Sequence, residues 1–554
     1  MKTKFLIAGA VGAMLVASAA NARDIKSYYL NKNPVKTVPS DQQISDGNVG
    51  RGIPNQNVAG PVTVSFEGIS LYDTIPLGRG FIPPDTMGAV GGTQYFETSN
   101  GAYAVYDKFT GAQQMLASDV AWWGSVGQTG ANGDSRVMYN ADAKRWIVMS
   151  FAGSVSNLQI AISDTDNALG GWKSLQFTGF AGGTADYPTL ALDKNAVYIG
   201  TNNFGPSFQG TTLNVIPIDS LFNNTTPTVS GMKQFVTPYT GAASDVDHGF
   251  AQQGVNSSSA GSTGHVVAAS LFFYDSVAFD VNGLSSTDAT GSTIPVGDGT
   301  FLNQAAFVSP GPGRQPSLIN PRVIATLDER ISSSAYEVGG RIYMVQTVNS
   351  GLDALDEARV RYTIIDATTK AIIAQGDIGQ AGYDYYQGAI AVNALGQVVI
   401  SYNRSGSQTA DLNNDGYADG NISVMAQTFK TSALGDLVAV SGELLLKVSP
   451  TSDYHNGSID GQPAAGRQRW GDYAQVSLDP GTTHGFYLIG QFAREPNNAA
   501  NGHPGGTGGT RWGTWIAGLN VGSVPEPASW AMMITGFGFI GGAMRRQRKS
   551  VATA

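Results

Sequence analysis

The stretch Asp411-Leu412-Asn413-Asn414-Asp415-Gly416-Tyr417-Ala418-Asp419 spaces oxygen donors as a loop does when it wraps a calcium ion. Side-chain oxygens stand at loop positions 1, 3, 5 and 9 (Asp411, Asn413, Asp415, Asp419), the Tyr417 carbonyl stands at position 7, and Gly416 at position 6 allows the sharp turn. Position 12 is Ile422, where a full EF-hand carries a bidentate glutamate, so Asp419, a neighbouring loop or water must complete the shell. A structural Ca2+ is the expectation. A metal-free turn is the alternative, because Asn and Asp favour turns on their own account.

A second set of carboxylates recurs along the chain. Asp85, Asp134, Asp186, Asp247, Asp328, Asp384 and Asp472 each precede a β-branched or aromatic run, from Tyr95-Phe96 and Arg145 to Val148 through to Val398 to Ile400 and Phe486 to Ile489. Hydrolysis of a glycosidic bond needs two carboxyls held about 5 to 9 Å apart. Asp328 with Glu329, or Asp472 beside Asp384, are the candidate pairs, and His248 next to Asp247 is a candidate general base. The competing reading is that each Asp caps a turn in a repeated unit by accepting backbone amides. Arg136, Arg330 and Arg469, with Tyr187, Tyr385 and Tyr473, stand near the same unit starts, and Trp122-Trp123 is a candidate for stacking on a sugar ring or for packing between units. The five histidines show no metal-ligand spacing, and the absence of cysteine excludes thiolate metal sites, cysteine nucleophiles and disulfides.

The elements that would carry these residues are short strands. Units of about four strands, each opened by one of the seven aspartates, predict an all-β, seven-bladed β-propeller. Val62-Thr63-Val64-Ser65-Phe66 alternates apolar and polar side chains and precedes the first unit, so it is expected to pair with the last and close the ring. The longer spacings between aspartates are expected to be loop insertions, such as Asn256 to Gly264 and Leu284 to Gly299. The segments Asp85 to Gly91, Asp186 to Asp193, Asp328 to Ser334 and Arg469 to Tyr473 resemble those of a widespread group of bacterial secreted propellers, sialidase-like in architecture and mostly without an assigned activity. That resemblance implies a fold, not a reaction.

The two ends carry targeting chemistry. Lys2 and Lys4, an apolar run from Phe5 to Ala17 and the small residues Ala20 and Ala22 read as a signal peptide over 1–22, cleaved by signal peptidase after Ala22. An irregular lead-in is expected over 23–58 and the propeller over 59–522. Residues 523–550 then hold Pro525-Glu526-Pro527, Trp530-Ala531, an uncharged run to Met544 and the basic Arg545, Arg546, Arg548 and Lys549. This tail resembles the PEP-CTERM sorting signal in its PEPxxWA variant, which implies a single apolar helix, transient membrane association and processing by an exosortase.

Composition bounds the rest. The net charge is −9, and setting aside the six basic residues of the two targeting ends leaves about −15, which excludes a phosphate-backbone partner. With 71 glycines and only 14% charged residues, the chain is built for tight turns rather than salt-bridged helices. These features point to an exported protein of the cell surface or extracellular matrix, a polysaccharide-associated binding or structural propeller. The alternative is a secreted glycoside hydrolase or polysaccharide lyase working at the channel mouth.

Overall fold

The structure, a computed structural model, describes residues 61–223, 225–242, 245–259, 261–289, 299–316, 322–350, 356–497, 506 and 508–522. The expected signal peptide, the expected lead-in and the sorting tail with its expected helix lie outside the described residues.

Strands stack face to face around a common axis, so most are covered on both sides. In Ala102–Asp107, Tyr103 and Val105 pack with Phe96 and Trp146, whereas Ala104 and Tyr106 pack with Val64 and Tyr487 on the opposite face. The period-2 geometry of a strand sends successive side chains to two different cores. That is why these strands read as continuous apolar runs.

The first sheet is an antiparallel meander of Met87–Val90, Gln94–Ser99, Ala102–Asp107 and Gln113–Ser118; the second comprises Arg136–Asn140, Arg145–Phe151, Asn157–Ser163 and Trp172–Thr178. In the third, Thr184–Asp186 and Ala191–Leu192 both pair with Ala196–Phe204, followed by Phe208–Pro217 and Lys233–Pro238. Another runs Tyr383–Val392, Gln397–Gly406 and Ser423–Thr431, the last flanked by Leu437–Ala439 and Leu444–Val448. The final sheet orders Gln475–Leu478, Gly485–Pro496 and Thr510–Asn520, and takes Val62–Ser70 as its outermost strand. The ring is thus closed by the first strand on the last.

The expectation of seven blades is not met: five sheets stand as separate blades. The strands between Phe250 and Ile378 form one eight-stranded sheet, because Val255–Ser257 runs parallel to and hydrogen-bonds with Ala335–Glu337. The edge-to-edge approach of two innermost strands fuses what strand spacing reads as separate units. Between them the chain makes an excursion in which Arg322–Ile324 pairs in parallel with Gly466–Gln468. Phe250–Ser257 and Thr263–Ala269 are both strands, so the insertion expected at Asn256 to Gly264 shrinks to a short loop. Among the described residues the helices are Leu71–Thr74, Asp119–Ser125, Ile218–Phe222 and the single 3-10 turn Ile459–Gly461, and none is long and apolar enough to cross a membrane.

We call the face where the innermost strands begin upper and the face where they end lower. Both ends of the described chain leave on the lower face: the Asn520 amide donates to the Pro61 carbonyl at 2.7 Å and the Val521 amide to that of His484 at 2.9 Å.

Candidate functional site

At the upper end of the axis, side chains from several sheets meet. The rings of Tyr187 and Tyr473 lie 4.9 Å apart. The Arg136 guanidinium sits 3.5 Å from the Tyr473 ring centre and Arg330 sits 4.3 Å from that of Tyr187, which makes two buried cation–π contacts. Asp328 grips Arg330 through two bonds of 2.6 Å. Tyr473 donates its hydroxyl to Asp134 at 2.9 Å, and Tyr187 donates to the Asp472 carbonyl at 3.3 Å. Arg136 Nε donates to the Pro188 carbonyl at 2.8 Å, while its Nη2 is buried without a hydrogen-bond partner. Burial pushes both tyrosine hydroxyls upward in pKa, so neither is a ready nucleophile at neutral pH. Tyr385 stands apart and directs its hydroxyl to Glu443.

The repeated aspartates serve this framework. Asp85 accepts from Asn100 Nδ2 at 2.7 Å and from the Asp472 amide at 2.9 Å, so it ties the first sheet to the last. Asp247 accepts from the amides of Gly249 and Leu271 and from the Ser270 hydroxyl. Asp384 accepts from the amides of Arg314 and Ala358 and pairs with Arg314 Nε at 2.8 Å. Asp472 Oδ1 lies 3.5 Å from Arg469 Nη2, and its other carboxylate oxygen is buried without a hydrogen-bond partner. Glu329 is buried and receives the Ser309 hydroxyl; burial first and the Asp328 charge second push its carboxyl up to about 7. His248 Nδ1 lies 3.0 Å from Thr237 Oγ1, and its ring packs edge-on against Phe279. Trp122 and Trp123 are buried in the helix Asp119–Ser125, where Trp123 Nε1 donates to the Tyr103 hydroxyl at 2.8 Å. They are core residues, unavailable to a sugar.

The loop from Asp411 to Asp419 is exposed at the rim. The Gly416 amide donates to Asp411 Oδ2 at 2.9 Å, the Asp415 amide to Asn413 Oδ1 at 3.0 Å and the Tyr417 amide to Asp415 Oδ1 at 2.9 Å; Asn414 and Gly416 take φ of +58° and +90°. Each carboxylate retains lone pairs beyond these bonds. Among the described residues, however, no three Asp, Glu or His side chains converge as a metal shell.

The lower face holds what the sequence did not reveal. Here the ends of the innermost strands from every blade and from both halves of the eight-stranded sheet surround a cavity of about 580 Å³. Met138, Tyr139, Leu192, Tyr336, Val338 and Val392 supply apolar surface, and Asn140, Asn256 and Asn393 supply amides. A smaller cavity of about 170 Å³ adjoins it and shares Asp193, Ser257, Ser259 and Glu337. Tyr139 stands edge-on to Trp146 at 4.9 Å, with its own ring half-buried. Asn140 Oδ1 accepts the amides of Asp142 and Ala143. The first sheet is fastened here to the last by Lys108, whose buried ammonium donates to Asp479 at 2.7 Å and to the Gly91 carbonyl at 3.1 Å. Lys108 sits in an Asp-Lys-Phe-Thr-Gly turn that reads as solvent-exposed, so its pairing carries no local signal.

Comparison with known proteins identifies one motif. Residues 523–549 match the PEP-CTERM protein-sorting motif, which marks the chain for exosortase processing during export through the inner membrane to the cell envelope or surface. No curated protein matches the chain. Solved structures with a similar course include a bifunctional GH43-CE protein of Bacteroides eggerthii (12% identity, TM-score 0.30, 65% of this chain and 35% of that one). Others are the WD40 domain of SCAP from fission yeast (8%, 0.32, 89% and 99%) and the β-propeller domain of the trilobed protease from Pyrococcus furiosus (9%, 0.33, 70% and 93%). The chain spans about a third of the length of the Bacteroides protein. At these identities and scores the likenesses carry no argument about activity.

Proposed function

We propose that this exported, exosortase-sorted protein is a polysaccharide-binding propeller of the cell surface or extracellular matrix, and that it holds its ligand in the lower-face cavity. The observation that supports this reading is the cavity itself: about 580 Å³, at the axis, with apolar walls and a few convergent amides and hydroxyls. Its size suits a few sugar units, and Tyr139 offers a ring edge and face beside donors and acceptors for hydroxyl groups. The hydrolase reading gains less support, because the carboxylates of Asp328 and Asp384 are paired with Arg330 and Arg314 and Glu329 is enclosed. A structural Ca2+ at Asp411, Asn413, Asp415, Tyr417 and Asp419 remains part of the proposal. Asp411, Asn413, Asp415 and Asp419 each accept a loop amide, and these oxygens retain lone pairs that a cation can use.

A glycan array run together with product analysis on the producer's own exopolysaccharide tests the reading. Binding without cleavage is expected. Cleavage would favour the hydrolase or lyase, and no binding to any glycan would end the proposal. For sorting, replacing Pro525, Glu526 and Pro527 by alanine should leave the tail on a chain whose wild-type C-terminal mass shows its removal.

A further inference from the structure

The charge of the lower cavity narrows its ligand. Four carboxylates line it, from Asp142, Asp193, Glu337 and Asp479, and no lysine, arginine or histidine does. Two of the four are already compensated within the protein: Asp479 is paired with buried Lys108, and Asp193 accepts the amides of Asn195 and Ala196 and the Tyr198 hydroxyl. Asp142 is exposed and lies 3.9 Å from Lys194. Glu337 differs from all three. It is half-buried, lines both the large and the small cavity, accepts a single hydrogen bond from Ser257 at 2.7 Å, and forms no ion pair among the described residues. A half-buried carboxylate in a concave wall, with an anionic neighbour at Asp193 and no ion pair of its own, attracts a cation and repels an anion; His265, in the wall of the smaller cavity, is held by Asp280 at 2.7 Å. The same lining includes Asn140, Ser257, Ser259 and Tyr139, groups suited to hydroxyls and to a ring, which a bare metal ion or an aliphatic amine would leave unused.

We propose that the lower cavity selects saccharide units that carry a protonated amine, with Glu337 meeting the ammonium group. This rests on the glycan-binding reading of the same cavity. An acidic sugar is disfavoured by the same field, and an N-acetylated unit lacks the charge that Glu337 is placed to meet.

Calorimetric titration of the mature protein at about pH 5.5, between carboxylate and amine titration, tests the assignment with four probes: a β-1,4-linked glucosamine trimer, its fully N-acetylated counterpart, a β-1,4-linked glucose trimer, and spermidine. The glucosamine trimer should bind at least about tenfold more tightly than the other three, as expected for one charge-assisted hydrogen bond. Glu337→Gln should bring it to the level of the N-acetylated trimer. Raising salt should weaken the glucosamine trimer and leave the glucose trimer unchanged, a readout that stands even where the variant does not fold. Equal affinity for the three trimers, or a preference that survives Glu337→Gln, overturns the proposal and leaves glycan binding intact. Spermidine binding as tightly as the glucosamine trimer overturns the saccharide assignment, and no binding of any trimer overturns both readings.

Discussion

Replacing Lys108 by methionine tests whether the ring is fastened where its first and last sheets meet. The ammonium and the Asp479 carboxylate are 2.7 Å apart with side chains only 1% and 7% exposed, and the Tyr487 hydroxyl, on the last sheet, donates to the Lys108 carbonyl at 2.8 Å. Removing the cation leaves a buried carboxylate with the Gly481 amide as its remaining donor, at 2.8 Å. Breaking a buried pair from one side costs about 3 to 5 kcal/mol. The strands run from Val62 to Asn520, about 460 residues, so an unfolding entropy of about 2.1 cal/mol/K per residue gives about 1 kcal/mol/K, and the melting temperature should fall by about 3 to 5 °C. Calorimetry on Lys108→Met, Asp479→Leu and the double variant forms a complete cycle. The double variant should recover at least half of the loss, since an apolar pair of similar volume is nearly neutral in place of a buried ion pair. A single-variant cost under about 1 kcal/mol, or strictly additive losses, would refute the reasoning.

Further measurements bear on other parts of the molecule. Burial pushes the Glu97 carboxyl from 4.5 up to about 7, although Thr514, Tyr106 and the Ile69 amide all donate to it. Between about pH 4.5 and 7 the folded protein keeps a proton that the unfolded chain releases, so stability falls as pH rises through that window, by on the order of 3 kcal/mol at most. Urea midpoints across pH 4.5 to 8 should show this decline, and Glu97→Gln should flatten much of it, with Glu329 contributing the remainder; an unaltered slope in the variant would remove Glu97 as the cause. Deleting residues through Ser70 strips the strand that covers Thr510–Asn520 and should abolish soluble, cooperatively melting protein, whereas an unchanged melting temperature would show that the closure is dispensable. Adding a chelator should lower the melting temperature if a calcium ion occupies the Asp411 loop, by about 2.7 kcal/mol of lost stability from a starting ion level a hundredfold above Kd; an identical melt with chelator and with calcium sinks the ion.

How far the sequence reaches can be judged residue by residue. The alternation in Val62 to Phe66 is a local property, and it located the closing strand. The recurrence of Asp ahead of each apolar run was equally legible, and so was the presence of Arg136, Arg330, Tyr187 and Tyr473 near unit starts, because turn chemistry is written in neighbouring residues. What failed depends on distant segments. The parallel ladder between Val255–Ser257 and Ala335–Glu337 joins strands 80 residues apart in sequence, and nothing in either strand announces the other. The Lys108–Asp479 pair links positions 371 residues apart. Glu337 looks like an ordinary polar residue of an alternating strand, and only the assembled axis turns it toward a cavity. The left-handed φ of Asp85, Asp134, Tyr187, Ala251, Leu327 and Gln387, near the starts of innermost strands, is another such property: non-glycine residues held there by the surrounding ring.

The exit of both chain ends on the lower face fixes an orientation. Whatever holds the chain beyond Gly522 stands on the side of the cavity, and the nine residues from Ser523 to Ala531 reach at most about 30 Å when fully extended. If the apolar run after Trp530 lies in a membrane, the cavity of the attached chain faces a narrow gap, which a long, stiff polymer could enter only from the side. Once the tail is cut, the same opening faces the surrounding space, and a polymer end can approach along the axis.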